Sequence, residues 1–435
     1  MNFYMGREFF KQTKRTFALM FFVLLLSVIV LYKLTYYANI EGVDFWAIYS
    51  LFAGLFLISR LLFAFLHDGI HLQLFQEETD GRKNFVFPSV SIVIAAKNEE
   101  KSIFKTIDTC LSSDYPSNLE CIVIDDGSDD KTLSEMNRAV ERFGNGKVVV
   151  KSFGENRGKR EAMAEGVLLA KNDIIVFVDS DTFLERDALK KLIRPFSNPK
   201  IGAISGNTCV ANREENILTK MQSIRYAISY DIFKSSESFY GVVTCCPGCF
   251  SAYRKEAISP ILDQWRNQMF LGTKSTFGDD RSLTNYVLKN WKVIYTEHAK
   301  AKTLVPDKYE KFLKQQLRWK KSWIREGFVS ASFMWRKHPI AALSFYVNLI
   351  LPLLGPLVVG WVLYMTIFHF NIFFLLVFLT GIISMGLLFG IFLHLTRGEK
   401  YWLYMPLFSI FYTFVMIWQM PYAMITLKKT HWGTR

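Results

Sequence analysis

Five stretches of the chain are apolar for about the 20 residues that a helix needs to cross a bilayer. They lie in two groups around a long segment of ordinary globular chemistry. The stretches are Phe17 to Leu34, Phe45 to Leu66, Ala341 to Phe368, Ile372 to Leu393 and Trp402 to Leu427. No small-residue cleavage site follows the first, and a second comes almost at once, so the pattern predicts an uncleaved hairpin rather than a signal peptide. Pro352 and Pro356 are expected to break the third stretch, and Pro406 and Pro421 the last. One of these then becomes a hairpin, a re-entrant piece or an interfacial helix. The predicted organisation is a membrane hairpin over 1–67, a soluble unit over 68–307, surface helices over 308–338, further membrane helices over 339–427 and a tail over 428–435.

Inside the soluble unit the period changes. Ser89 to Ala96, Cys121 to Ile124, Lys147 to Lys151 and Ile174 to Val178 are short, β-branched runs that read as strands. Ile103 to Leu111, Lys131 to Phe143 and Arg160 to Leu169 read as helices. This alternation predicts an α/β fold with a mostly parallel sheet that binds ligands at the carboxyl ends of its strands. Two acidic motifs fall at such ends: Asp125-Asp126-Gly127-Ser128 and Asp179-Ser180-Asp181. From Tyr309 to Trp335, aromatic and basic residues recur at helical spacing, as in helices lying on an anionic membrane surface.

Charge then sets the sidedness. Lys11, Lys14 and Arg15 precede the first apolar stretch, whereas the link to the second has Glu41 and Asp44 and no Lys or Arg between Tyr36 and Asp44. The positive-inside rule therefore puts the N-terminus and the soluble unit in the cytosol. Lys428, Lys429 and Arg435 favour a cytosolic C-terminus, which five simple spans would not give. Arg60, near the cytosolic end of its segment, is expected to snorkel and anchor it. The formal net charge of +13 suits anionic partners such as membrane lipids and nucleotide phosphates, although basic cytosolic flanks account for much of it. Nothing resembles a nucleic-acid-binding module. All six cysteines lie in the middle unit, where a cytosolic setting keeps them reduced. Cys245-Cys246-Pro247-Gly248-Cys249 has three thiols and no nearby His, short of a closed zinc site, and reads better as a tight Pro-Gly turn brought close to something.

The polar motifs carry the candidate chemistry. Asp125 and Asp126 can accept hydrogen bonds from a nucleobase or a ribose, or can form an Asx turn that caps the next helix. Asp179 and Asp181 suit Mg2+ or Mn2+ with substrate phosphates completing the coordination, or a helix cap ahead of Leu184 to Leu192. Asn156-Arg157-Gly158-Lys159-Arg160 does not match P-loop spacing, but Lys159 beside exposed backbone N–H groups can hold a diphosphate. A solvated basic helix start is its plain alternative. Gly278-Asp279-Asp280-Arg281 precedes a helix over Ser282 to Leu288. One carboxylate suits a general base for an acceptor hydroxyl, with its partner and Arg281 fixing its ionisation. The cluster could equally face the helix dipole. Gln315-Gln316-Leu317-Arg318-Trp319 offers an indole for the apolar face of a sugar and a guanidinium for phosphate, or an interfacial Trp with a snorkelling Arg.

Taken in order, these motifs resemble the membrane-embedded processive family 2 glycosyltransferases, and among them the bacterial-type hyaluronan synthases. The likeness covers roughly Phe17 to Arg435. It is carried by Gly278-Asp-Asp-Arg-Ser-Leu-Thr-Asn285, Lys314-Gln-Gln-Leu-Arg-Trp319, Ser251-Ala-Tyr-Arg254 and Trp432-Gly-Thr-Arg435. The resemblance implies a cytosolic GT-A-like (Rossmann-like) domain inserted between transmembrane helices of the inner membrane, with amphipathic interface helices. It implies that Ala95, Lys97, Glu99 and Asp126 contact the uridine, with Asp125 beside them, and that Asp179 and Asp181 hold Mg2+ or Mn2+ and the diphosphate. Asp280 would be the base, with Asp279 and Arg281 next to it. Gln315, Arg318 and Trp319 would bind the acceptor end and the pyrophosphate, helped by Lys159, while Trp432 and Arg435 approach the diphosphate. The implied partners are UDP-GlcNAc and UDP-glucuronate used alternately, a nascent polysaccharide and membrane lipids. Cys245 to Cys249 with Val305-Pro306-Asp307 instead resembles chitin-oligosaccharide synthases, which leaves open a processive enzyme using UDP-GlcNAc alone. A non-processive transferase acting on a lipid phosphate is a further rival. So is a non-catalytic sensor or export scaffold, which has no need of Asp179, Asp181, Asp280 and Trp319 together.

Overall fold

The computed structural model describes residues 45–79 and 85–429; Phe17 to Leu34, Trp432 and Arg435 lie outside the described residues. The chain divides into two compact units. One holds the described residues up to Leu62 with Ser344–Pro421, the other Phe63–Leu343 with the described residues from Tyr422 on.

The second unit is built on one sheet. Its strands are β1 (Val90–Ala96), β2 (Leu119–Asp125), β3 (Val148–Ser152), β4 (Ile174–Val178), β5 (Thr182–Leu184), β6 (Ile201–Val210), β7 (Phe250–Arg254) and β10 (Lys292–Thr303). Met269–Phe270 (β8) and Thr273–Lys274 (β9) form a separate hairpin. The sheet order is β3-β2-β1-β4-β7-β6-β10-β5. β1 to β4 are parallel, as the alternating pattern predicts. Their crossovers are the helices Ile103–Leu111, Thr132–Phe143 and Lys159–Leu169. β7 then enters antiparallel between β4 and β6, and β5 runs antiparallel to β10, so the sheet is mixed. β1, β2 and β4 are nearly continuous apolar runs because both of their faces are covered. Ile92, Ile94, Val123 and Val176 pack with Ile103, Ile107, Met136 and Ala139 in one core. On the opposite face Val93 meets Gly166 so closely that a Cβ on Gly166 would overlap the valine methyl.

Among the described residues, Ile48–His67, Pro339–Phe368 and Ile372–Arg397 are long and apolar enough to cross a membrane. The expected break at Pro352 and Pro356 is absent: both prolines sit inside one continuous helix, Pro339–Phe368. The last apolar stretch does break. Tyr404–Met416 and Gln419–Ile425 meet at 43°. Pro421 has no N–H to return to Ile417, whose carbonyl instead accepts from the Met420 N–H at 2.9 Å, tightening the turn. Arg60 does not reach outward as expected. It is 3% exposed, and its guanidinium donates to the Ser344 carbonyl at 3.2 Å.

Tyr309 to Trp335 forms a single helix, Tyr309–Met334, where several surface helices were expected. Phe312, Gln316, Lys320 and Ile324 repeat every four residues and are all buried, so one stripe of its amphipathic pattern faces protein.

The contact between Gly166 and Val93 yields a stability prediction. Gly166→Ala should lower stability by about 1–3 kcal/mol through overpacking. Combining it with Val93→Ala should cost less than the sum of the two single changes, because the smaller residue opens the space. Thermal unfolding of the two single variants and the double variant checks this; strict additivity would contradict the close packing.

Candidate active site

The loops after β1, β2 and β3 are bound to one another. The Asp125 carboxylate accepts from the Ser128 N–H at 3.1 Å and the Ser152 hydroxyl at 2.7 Å, so its oxygens shape the turn. Asp126 accepts from the backbone N–H groups of Arg157 (2.7 Å) and Gly158 (3.0 Å). Burial pushes the Asp126 carboxyl up, against those two N–H groups and the nearby charge of Lys97. Gly127 has φ +68°, and a Cβ there would overlap the backbone of Glu155, so only glycine lets the two loops lie this close. Asn98, at φ 57°, accepts from the Asp129 N–H at 2.9 Å. Glu99 accepts from the Ser102 hydroxyl at 2.7 Å, and Ala95 stays inside β1 opposite Ile124.

After β4, Asp179 is ion-paired with Lys159, the first residue of the helix Lys159–Leu169. Burial alone would lower the lysine pKa, but the charges of Asp179, Asp280 and Asp279 outweigh it and raise it. Asp181 is pushed up to about 6 by burial and by the charge of Asp179, while Lys159 and a 3.3 Å hydrogen bond from Thr303 oppose the rise. The pair leads into β5 and caps no helix. Two crowded carboxylates with a lysine as counter-charge fit a hard divalent cation with oxygen ligands. Among the described residues no group of three His, Cys, Asp or Glu side chains is placed to hold a metal, so the remaining ligands would come from phosphate and water. The turn of Cys245 to Cys249 does come close to something: a Cβ on Gly248 would lie 3.1 Å from Asp179 Oδ1 and 3.5 Å from Lys159 Nζ.

The second acidic pair opens the helix Asp279–Leu288. Asp279 is 5% exposed and accepts from Arg160 Nε at 2.7 Å. Asp280 differs: its Oδ1 accepts from the Arg281 N–H at 2.7 Å, and the Cys245 thiol lies 3.8 Å from its Oδ2. Gly278, at φ +73°, presses on the long helix Tyr309–Met334 so tightly that a Cβ would overlap Ser322 Oγ. Below this contact lies a buried polar network. Glu326 is fully buried and accepts from Arg325 Nε (2.8 Å), Gln268 Nε2 (3.1 Å) and Asn285 Nδ2 (3.2 Å). Gln268 Oε1 accepts in turn from Ser282 (2.7 Å) and from Arg160 (3.2 Å). Burial lowers the Arg318 pKa, countered by the charges of Asp279, Asp280 and Asp179, so this guanidinium faces both acidic pairs. The Trp319 ring packs 6.4 Å from that of Tyr226.

The comparisons with known proteins agree with this geometry. Residues 91–262 match the family model described as glycosyl transferase family 2. The chain is 29% identical over 428 residues to the hyaluronan synthase of Streptococcus pyogenes, covering 97% of each chain. The chain thus carries a glycosyl transferase family 2 domain over residues 91–262 and is hyaluronan-synthase-like over 97% of its length. An N-acetylglucosaminyltransferase of Azorhizobium caulinodans is 34% identical over 245 residues, 55% of this chain and 60% of that one. Among solved structures, a mannosyltransferase from Pyrobaculum calidifontis in complex with GDP-Man and Mn2+ superposes with a TM-score of 0.54 at 17% identity, over 87% of this chain and 100% of that one. That likeness supports the GT-A-like fold.

This glycosyltransferase thus brings Lys159, Asp179, Asp181, Asp279, Asp280 and Arg318 into one electrostatic neighbourhood. The Gln315 side chain accepts from its neighbour Gln316 at 3.4 Å. Sequence reasoning did not single out Arg160 for Asp279, Cys245 beside Asp280, Tyr226 beside Trp319, or Glu326. A signal existed for the last: Arg318, Ser322, Arg325 and Glu326 follow one another at helical spacing along a single helix.

The raised Asp181 pKa carries a sign. Its folded value, about 6, exceeds the ordinary aspartate value of 3.8. Its neutral form is therefore favoured, and the stability it contributes is present below pH ~4 and lost as pH rises through ~6. Metal-free protein should accordingly gain thermal stability between pH 7 and pH 5 by a step that Asp181→Asn removes. A divalent cation should stabilise the wild type more at pH 7 than at pH 5. Melting curves with chelator or Mn2+ at both pH values read this out, and an unchanged step in Asp181→Asn would remove Asp181 as its source.

Proposed function

We propose that the protein is a processive, inverting β-glycosyltransferase of the inner membrane that joins sugars from UDP-GlcNAc and UDP-glucuronate alternately into hyaluronan and passes the polymer across the membrane. The observation that carries this proposal is the length of the similarity: 97% of this chain and 97% of a hyaluronan synthase, well beyond the catalytic unit and into the apolar helices on both sides. The catalytic unit lies in the cytosol, where UDP-sugars are.

In the proposed reaction Asp280 takes the proton of an acceptor hydroxyl. The freed oxygen attacks the anomeric carbon as the bond from that carbon to UDP breaks, and UDP leaves with the electron pair from the opposite face, which inverts the centre. Asp280 suits the role because its carboxylate, unlike that of Asp279, is not taken up by an arginine. Lys159 and Arg318 receive the negative charge of the departing diphosphate, aligned before it develops. A divalent cation held by Asp179 and Asp181 supplies, when bound, further neutralisation of that charge. Asp126 and the loop of Lys97 and Glu99 are assigned to the uridine, and Trp319 to the acceptor sugar. Trp432 and Arg435 are assigned to the diphosphate.

A specific observation favours a second possibility, a chitin-type synthase using UDP-GlcNAc alone: over 245 residues the identity to an N-acetylglucosaminyltransferase is 34%. Purified protein given each donor singly and both together distinguishes the two. Polymer should require both donors and be digested by a hyaluronan-specific lyase; substantial polymer from UDP-GlcNAc alone would overturn the two-donor assignment. Asp280→Asn should lower kcat by about 10²–10⁴-fold while UDP still binds. Retained turnover would exclude Asp280 as the base.

A further inference from the structure

Thr284 stands where three elements meet. It lies on the helix Asp279–Leu288 and is fully buried. Its hydroxyl donates to the Asp280 carbonyl at 2.7 Å, accepts from the Cys246 N–H at 2.9 Å and lies 3.0 Å from the Tyr253 hydroxyl. The Thr284 proton is committed to the carbonyl, so Tyr253 is the donor of the third bond. A threonine hydroxyl has one proton and two lone pairs, and here all three are used. The bond to the carbonyl four residues back is the ordinary option for a threonine on a helix. The other two are not local. One comes from the turn of Cys245 to Cys249, the other from β7, where Tyr253 pairs with Ile175 of β4 and Ala203 of β6 inside the sheet.

The turn that Thr284 holds touches both acidic pairs. One residue before Cys246, the Cys245 thiol lies 3.8 Å from Asp280 Oδ2. Two residues after it, a Cβ on Gly248 would lie 3.1 Å from Asp179 Oδ1 and 3.5 Å from Lys159 Nζ. A single oxygen atom thus holds the backbone of Asp280 and the backbone of the turn that reaches Asp179 and Lys159, with the sheet as anchor through Tyr253. Resting on the assignment of Asp280 as the base, we propose that Thr284 is a positioning residue of the transfer reaction, its hydroxyl setting the register of Asp280 against the Cys245 to Cys249 turn and so against the Asp179–Lys159 pair. In-line displacement needs the base on the acceptor side and the diphosphate group on the other at a fixed separation, and a shift of about 1 Å can cost on the order of a hundredfold in rate. Being buried, Thr284 acts through these groups and not on a sugar. Serine keeps the hydroxyl. Valine has the shape of threonine but neither donates nor accepts, so Thr284→Val leaves the buried Cys246 N–H without its acceptor.

The test compares T284V and T284S with the wild type as full-length protein in detergent or nanodiscs. It measures UDP release at saturating donor, the KM for donor, and UDP binding with Mn2+. T284V should lower kcat about tenfold to a hundredfold. Its donor KM and UDP affinity should stay within about twofold of the wild type, the split expected when alignment rather than binding is lost. T284S should restore most of kcat. Should T284V fail to fold, Y253F removes one of the three bonds at nearly unchanged volume and should show the same split, to a smaller degree. A kcat at the wild-type value in the folded variant overturns the assignment of Thr284 and leaves Asp280 as the base. A fall in kcat that comes with weakened UDP binding, or that T284S shares in full, also overturns it. Retained turnover in D280N overturns Asp280 as the base and the assignment of Thr284 with it.

Discussion

Glu326 carries no exposed surface, and the placement of the second acidic pair depends on it. A carboxylate so deep is tolerable only when it has a counter-charge and hydrogen-bond donors. Arg325, Gln268 and Asn285 provide them. These donors come from three separate segments, so satisfying one charge fixes three pieces of chain. Gln268 passes the constraint on to Ser282 and Arg160, and Arg160 closes it on Asp279. The helix that begins with Asp279 and Asp280 is thereby fastened to the helix that carries Arg318 and Trp319. Removing one member of such a set leaves a buried charge uncompensated, which typically costs about 3–5 kcal/mol. The network works against loose docking of these two helices rather than adding net stability.

The two acidic pairs divide their labour through environment. Asp279 is consumed by Arg160, whereas Asp280 Oδ2 has the Cys245 thiol 3.8 Å away. Asp179 is matched by Lys159, and burial with the charge of Asp179 pushes the Asp181 carboxyl up. Within each pair the two carboxylates thus stand in different surroundings. The same split appears in the loop after β2, where Asp125 shapes its own turn and Asp126 is held by backbone N–H groups of the neighbouring loop.

The parallel half of the sheet was legible because β1 to β4 are apolar runs separated by helices, so the acidic motifs of Asp125 and Asp179 fall at strand ends. The reversed strand was not. β7 reads Phe250-Ser-Ala-Tyr-Arg254, a short run with nothing in it that specifies direction. A strand that runs backwards starts where its parallel neighbours finish. The Cys245 to Cys249 turn, which precedes β7, therefore arrives at the same end of the sheet as the loops that follow β1, β2 and β4. Partner choice was hidden for a related reason. Arg160 and Asp279 are far apart in the chain, and no local period links them. Pro352 and Pro356 misled because a proline read alone signals a break, whereas a lipid-length helix packed among others can continue through it.

β5 is the outermost strand of the sheet beyond β10, and it is only three residues long. Its pairing sets Thr182 opposite Thr303, whose hydroxyl reaches Asp181. The other outermost strand, β3, has five residues and places Lys151 in an ion pair with Glu165. Neither margin offers a long, flat, unpaired ladder. A sheet of this width would otherwise be an open template for strand addition by sister molecules confined to the same plane of lipid. The brevity of the strand that follows the acidic pair therefore also protects the enzyme against edge-to-edge aggregation.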